Sequence, residues 1–146
     1  MEFTEDHAMF RKTVRDFVER EINPHVDEWE SAGIFPAHQL FPKLGAPGLL
    51  GLEYDEAYGG QGADHSYTVI FGEELGRIHC GGVPMAIAVQ SDMATPSLAQ
   101  FGTEELKQQF LVPAISGEAG AAIAVTEPDA GSDGASPRTR AARGRG

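Results

Sequence analysis

The chain has 146 residues, enough for about one domain with a real core, and too few for a multidomain enzyme. Its formal net charge is −11, and four arginines sit in the last nine positions (Arg138, Arg140, Arg143, Arg145), so the body before them stands at −15 (−11 less four). Such a body repels nucleic acid and anionic membrane. Cys80 is the only cysteine, which excludes an internal disulfide and favours a buried, inert thiol. The acidic start lacks a hydrophobic export core and the longest apolar run, Val83 to Val89, is far too short to span a bilayer, so a cytoplasmic location with no membrane span is expected.

Thr4 is placed as an N-cap, with Glu5 and Asp6 in the first turn where the helix dipole favours negative charge. Phe10, Val14, Phe17, Val18 and Ile22 then recur at helical spacing. Asn23-Pro24 ends or kinks that helix, because the residue before proline disfavours the helical region; another turn or two follows over His25 to Glu30. A short or bent helix is expected from Pro36 to Leu44, ending near Gly45, since Pro42 and Pro47 are awkward there.

Tyr58-Gly59-Gly60-Gln61-Gly62 makes a tight loop, for which positive φ or close backbone contact is one reading and a phosphate cradle the other. From Asp64 to Ile78, the apolar positions Tyr67, Ile70, Phe71, Leu75 and Ile78 predict a second amphipathic helix. Glu73 and Glu74 point about 100° apart on it, so they form a solvated or ion-paired face rather than a converging acid–base pair. Val83 to Phe101, interrupted by Ser91-Asp92 and Thr95-Pro96, is apolar on most sides and reads as a buried central helix pair. Gly102 suits a C-cap, Thr103-Glu104-Glu105 starts the last helix, Leu106, Phe110 and Leu111 are its buried set, and Pro113 is placed at its end.

After Ser116-Gly117-Glu118 the helical period gives way to small residues and alternation, which sets a boundary between residues 1–118 and 119–146. The predicted fold is mainly α, an orthogonal or up-down bundle of about five to six helices followed by a short β segment. Ala121 to Val125 reads as a small-residue strand running into Thr126-Glu127-Pro128-Asp129-Ala130-Gly131-Ser132-Asp133, a polar loop whose amides and hydroxyls can hold an anion or a polar ring edge. The five histidines show no metal spacing, and no Ser–His or Cys–His nucleophile arrangement stands out. Arg138-Thr139-Arg140 reads as the exposed face of an edge strand, with an unpaired tail from Ala141 to Gly146.

Taken in order, Tyr58-Gly59-Gly60-Gln61-Gly62, Glu73-Glu74-Leu75-Gly76-Arg77, Gly102-Thr103-Glu104-Glu105, Ser116-Gly117-Glu118 and Thr126 to Asp133 resemble the acyl-CoA dehydrogenase family over nearly the whole chain. The resemblance implies an N-terminal helical domain and the opening of a middle β-domain that touches FAD. It places Ile123, Val125 and Thr126 beside the isoalloxazine, Gly131 at a close approach, and Ser132 at the FAD pyrophosphate or the thioester side of the substrate. It further implies oxidation of an acyl-CoA thioester to the trans-2-enoyl-CoA, with Val83 to Phe101 contributing to the acyl pocket. Electron-transfer flavoprotein is the implied acceptor and a homo-oligomer the implied assembly of a complete enzyme. The family's catalytic glutamate comes from a C-terminal helical domain, so no residue here is carried over as the base, and the isolated chain is expected to be inactive. The rival readings are a non-catalytic helical subunit or interaction module, and a flavin oxidase or monooxygenase relative.

Overall fold

Helix α1 (Glu5–Phe17) opens the computed structural model, which describes residues 3–142; Met1, Glu2 and the end of the basic tail, Arg143 to Gly146, lie outside that range. The Thr4 backbone N–H donates to His7 Nδ1 at 3.0 Å, so a histidine stands where a capping box usually has Glu or Gln. Val14, Val18, Ile22 and Val26 are all buried and recur every four residues, forming one stripe that passes through a wide turn (Val18–Ile22) and a 3-10 turn (Asn23–His25) into α2 (Val26–Ala32). The chain then makes α3 (Ala37–Gly45), the glycine loop and α4 (His65–Leu75), whose buried Phe71 and Leu75 share one core cluster with the α1 stripe and whose Ile70 is buried as well.

Proline does not end these helices in the way expected from sequence. Three turns widen to the π pattern, Val18–Ile22, Val89–Ala94 and Lys107–Leu111, and each closes two residues before a proline: Pro24, Pro96 and Pro113. A proline has no N–H for the carbonyl four residues back, and its ring crowds that carbonyl. Widening the turn to i→i+5, as in the bond from the Asn23 N–H to Val18 O, relieves both problems and lets the rod continue.

The expected helix pair over residues 83–101 is therefore one rod, α5 (Gly82–Ala88) running through the wide turn into α6 (Thr95–Phe101). The last rod likewise continues past Pro113: α7 (Glu104–Leu106), the wide turn, then α8 (Val112–Ser116), which stops at left-handed Gly117. Among the described residues the bundle thus has five rods, over residues 5–32, 37–45, 65–75, 82–101 and 104–116.

Two further expectations are corrected. Of Leu106, Phe110 and Leu111 only Leu111 is buried; Leu106 and Phe110 share an i,i+4 face left about half exposed, and Phe101 at the end of α6 is 77% exposed. The short β segment does not form: the described residues after Ser116 hold a single isolated bridge, Glu127 to Ala130, because a strand needs a neighbouring ladder to satisfy its amides. Arg138 to Arg140 is irregular and exposed rather than an edge strand, for the same reason. Cys80 is half-buried against the core rather than fully enclosed.

Candidate functional site

The segment after α8 is fixed to the bundle at its start and mostly exposed beyond it, with Ala130 buried. The Ala121 N–H donates to Gln90 Oε1 at 2.6 Å. Beyond it Ile123 and Val125 are 41% and 57% exposed, a high value for branched apolar side chains. Glu127 and Ala130 exchange backbone hydrogen bonds of 2.9 and 3.2 Å, which folds Pro128-Asp129 into a tight tip and turns Gly131 back over Thr126. A Cβ at Gly131 would lie 3.9 Å from Thr126 Cγ2, an ordinary contact, and Gly131 does not have positive φ. The chain's own packing therefore does not require glycine there.

Thr126, Gly131 and Ser132 are all exposed, and among the described residues the amides of Gly131 and Ser132 and the hydroxyls of Thr126 and Ser132 have no hydrogen-bond partner. Glu127 beside them is fully engaged. Its carboxylate accepts the Thr139 hydroxyl, the Arg138 N–H and, at 2.9 Å, the Thr139 N–H, closing the loop from 127 to 139. These bonds, that to the Thr139 hydroxyl foremost, hold its pKa below the usual carboxylate value. The loop thus offers donors left open among the described residues beside an apolar pair, while the Glu127 carboxylate is taken up within the loop.

The glycine loop is structural. The N–H groups of Gly59, Gly60, Gln61, Gly62 and Ala63 donate inward to the carbonyls of Glu56, Asp55, Gly51, Tyr54 and Leu52, so none is left to cradle a phosphate. Gly59 and Gly62 have φ of 86° and 57°, and a Cβ on Gly60 would collide with the Tyr54 carbonyl.

Three clusters escaped the sequence reading because their members lie far apart in the chain. His7 Nε2 meets Ser66 Oγ at 2.6 Å, and Ser66 in turn bonds Asp64. Since the Thr4 N–H can only donate, Nδ1 accepts, Nε2 carries the proton and donates to Ser66, and the Ser66 hydroxyl donates to Asp64. With His7 and Ser66 buried and the aspartate bonded to serine rather than histidine, this chain is a joint between α1 and α4 and has no nucleophile to offer. Glu74, 1% exposed, is gripped by Arg11 (2.9 Å), Arg15 (2.9 Å) and Arg77 (2.9 Å), so the ion-paired face expected from sequence belongs to a buried carboxylate; Glu73 stays exposed and pairs with Arg11. Finally, a cleft of about 340 Å³ is lined by Leu50, Leu52, Tyr54, Phe71, Ser91 and Asp92. At its edge the Tyr54 hydroxyl donates to Ser91 O at 2.7 Å, and burial pushes the phenol pKa up. Among the described residues no helix is long and apolar enough to cross a membrane.

Comparison with known proteins bears on all of this. Residues 4–118 match the family model described as acyl-CoA dehydrogenase, N-terminal domain. The probable acyl-CoA dehydrogenase YngJ of Bacillus subtilis is 39% identical over 140 residues, which is 96% of this chain and 36% of that protein. The crystal structure of acyl-CoA dehydrogenase from Geobacillus kaustophilus superposes with a TM-score of 0.83 at 44% identity, covering 91% of this chain and 34% of the other. An acyl-CoA dehydrogenase from Bacillus anthracis, solved in complex with FAD, gives a TM-score of 0.83 at 32% identity over 91% of this chain and 22% of the other. The chain thus spans about a third or less of the length of these relatives.

Proposed function

The chain belongs to the acyl-CoA dehydrogenase family, and from that premise we propose that residues 119–146 begin a second domain and that Ile123, Val125, Thr126, Gly131 and Ser132 form one edge of an FAD site. The observation that carries this reading is the pairing of exposed Ile123 and Val125 with four donors that the described residues leave unsatisfied. An apolar strip beside a row of free donors fits a flat heteroaromatic ring with a polar rim and an anionic tail. Ile123 and Val125 would pack on the ring and the Thr126 hydroxyl would bond its polar edge. The amides of Gly131 and Ser132 would face the pyrophosphate, with the Ser132 hydroxyl available to it or to the thioester side of the acyl-CoA.

When bound, FAD supplies the acceptor for the hydride that leaves Cβ of an acyl-CoA thioester as a base takes the Cα proton, giving the trans-2-enoyl-CoA. This chain's share is to hold and orient. The rod of α5 and α6 would contribute a wall to the acyl pocket, and a whole protein would hand its electrons to electron-transfer flavoprotein. Glu127 is a poor candidate for the base, since the Thr139 and Arg138 bonds favour its ionised, fully accepting state. The 146-residue polypeptide by itself is therefore expected to show no turnover with FAD, an acyl-CoA and a dye acceptor.

Four net hydrogen bonds of about 0.5 to 1.5 kcal/mol each sum to about 2 to 6 kcal/mol, a range centred on an affinity of roughly 1 mM. An NMR titration of the chain with FAD at that level is expected to move the amide signals of residues 123–132, and a Thr126→Val, Ser132→Ala chain is expected to lose most of the movement. Shifts confined to the Tyr54 cleft would sink the reading, and sustained turnover by the isolated chain would sink the expected inactivity.

A further inference from the structure

Gln90 is 1% exposed and lies in the wide turn of the α5–α6 rod. Its Nε2 donates to Ala114 O and to Ala119 O, both at 2.9 Å, and its Oε1 accepts the Ala121 N–H at 2.6 Å. The amide orientation is unambiguous, because flipping it would set an oxygen against two carbonyls and an NH2 against an N–H. The two donors and the acceptor thus reach three backbone groups: one in α8, one just past Gly117, and one at the root of the exposed segment.

We infer that Gln90 is a positioning residue that clamps the exit of the chain from the helical bundle and so sets the direction in which residues 121–132 leave it. The alternative fates of those backbone groups support this. The Ala119 carbonyl and the Ala121 N–H lie where the helical ladder has ended and no strand has begun, so a neighbouring side chain must satisfy them, while the Ala114 carbonyl, in the last turn of α8, accepts the Gly117 N–H as well as the Gln90 amide. No residue on α8 reaches all three. The wide turn holds Gln90 in register from behind: Thr95 Oγ1 donates to the Gln90 carbonyl at 2.6 Å and accepts at 2.7 Å from the Tyr54 hydroxyl, whose one proton is shared between Thr95 Oγ1 and Ser91 O. The line Tyr54, Thr95, Gln90, Ala121 therefore connects the cleft to the proposed flavin edge by hydrogen bonds. The statement that the segment so aimed meets a flavin rests on the function proposed above; the clamp itself does not.

Amide hydrogen exchange on the 146-residue chain tests the clamp directly. In the unaltered protein the Ala121 amide is expected to exchange at least about tenfold more slowly than those of Ala122 and Ile123, which sit in the same irregular, exposed stretch. Substituting Gln90→Met keeps the volume and removes all three bonds. It is expected to raise Ala121 exchange about tenfold while the amides of Val18 and Ile22 change by less than about twofold. A comparison chain, Ile70→Val, which opens a small cavity elsewhere in the core, should raise the protected amides together. Equal exchange at Ala121, Ala122 and Ile123 in the unaltered chain would overturn the inference without requiring any variant to fold. So would a Gln90→Met profile that rises uniformly, as in Ile70→Val. Protection at Ala121 with no FAD-induced shift at residues 123–132 would count against the flavin reading alone.

Discussion

Replacing Gly117 by alanine is expected to lower the thermal midpoint by about 10 to 15 °C. Gly117 has φ +80° and caps α8, and a Cβ there would strike the Phe41 carbonyl, its carbon and the Pro42 nitrogen. All three are backbone atoms of α3, which cannot move aside as a flexible side chain can. On the facing helix, a Cβ at Gly45 would strike the Ser116 carbonyl. The ends of α3 and α8 thus cross through a pair of glycines, each admitting the other helix's backbone. Left-handed strain costs about 1 to 2 kcal/mol and forced overpacking about 1 to 3 more, so Gly117→Ala should lose about 3 to 4 kcal/mol in all. Gly33 separates the two terms: its φ is +67° but nothing lies within 4 Å of its Cβ position. Gly33→Ala should therefore cost only the strain, about 1 kcal/mol, and equal losses at the two sites by thermal or denaturant unfolding would refute the crossing argument.

The second large effect is expected at Glu74. Removing its charge by Glu74→Gln should cost about 2 to 3 kcal/mol at pH 7, because three arginines would be left around a neutral amide. The Arg15 hydrogen bonds, then that from Arg11, and the charges of Arg15 and Arg77 outweigh its burial and hold its pKa down at about 2, against an ordinary value of 4.5. A carboxylate whose pKa falls on folding stabilises the native state fully above its unfolded pKa, and that contribution fades as pH drops through the folded value. The window is thus pH 4.5 down to about 2. At about 1.4 kcal/mol per pH unit the full contribution would exceed 3 kcal/mol, and the partial exposure of the arginines reduces it to the range above. Urea unfolding of the unaltered protein and of Glu74→Gln should show a gap that is constant from pH 7 to 5 and closes toward pH 2. A gap independent of pH over that window would show that Glu74 acts through packing alone.

The parts of the fold that could be read from sequence are those set by local periodicity. The buried stripe Val14, Val18, Ile22 and the helix around Ile70, Phe71 and Leu75 follow from one amphipathic period each, and the end of α3 at Gly45 follows from Pro42 and the glycine itself. The continuation of the rods past Pro96 and Pro113 is not legible locally, since local rules describe the cost of a missing N–H and not the widened turn that tertiary packing can sustain. Leu106 and Phe110 fit the apolar pattern of a core helix yet face outward, because periodicity marks an apolar face without saying what covers it.

The candidate site divides along the same line. The resemblance to the family is carried by the order of five motifs from Tyr58 to Asp133, and the chemical character of the last of them by its own donors and glycine, all of which are written in the chain itself. Its physical state was not written there. That the Gly131 and Ser132 amides stand unsatisfied among the described residues, that Glu127 is occupied by Arg138 and Thr139, and that Gln90 reaches across thirty-one positions to hold Ala121 depend on groups brought together only by folding. The same holds for Glu74 with its three arginines and for the glycine pair between α3 and α8. Sequence by itself determined the helical periods, the family and the chemical character of the loop, since these depend on residue type and on neighbours within a few positions. Tertiary structure alone decided which polar groups are satisfied and which remain open, because hydrogen bonds and close contacts depend on distances in space that sequence separation does not encode.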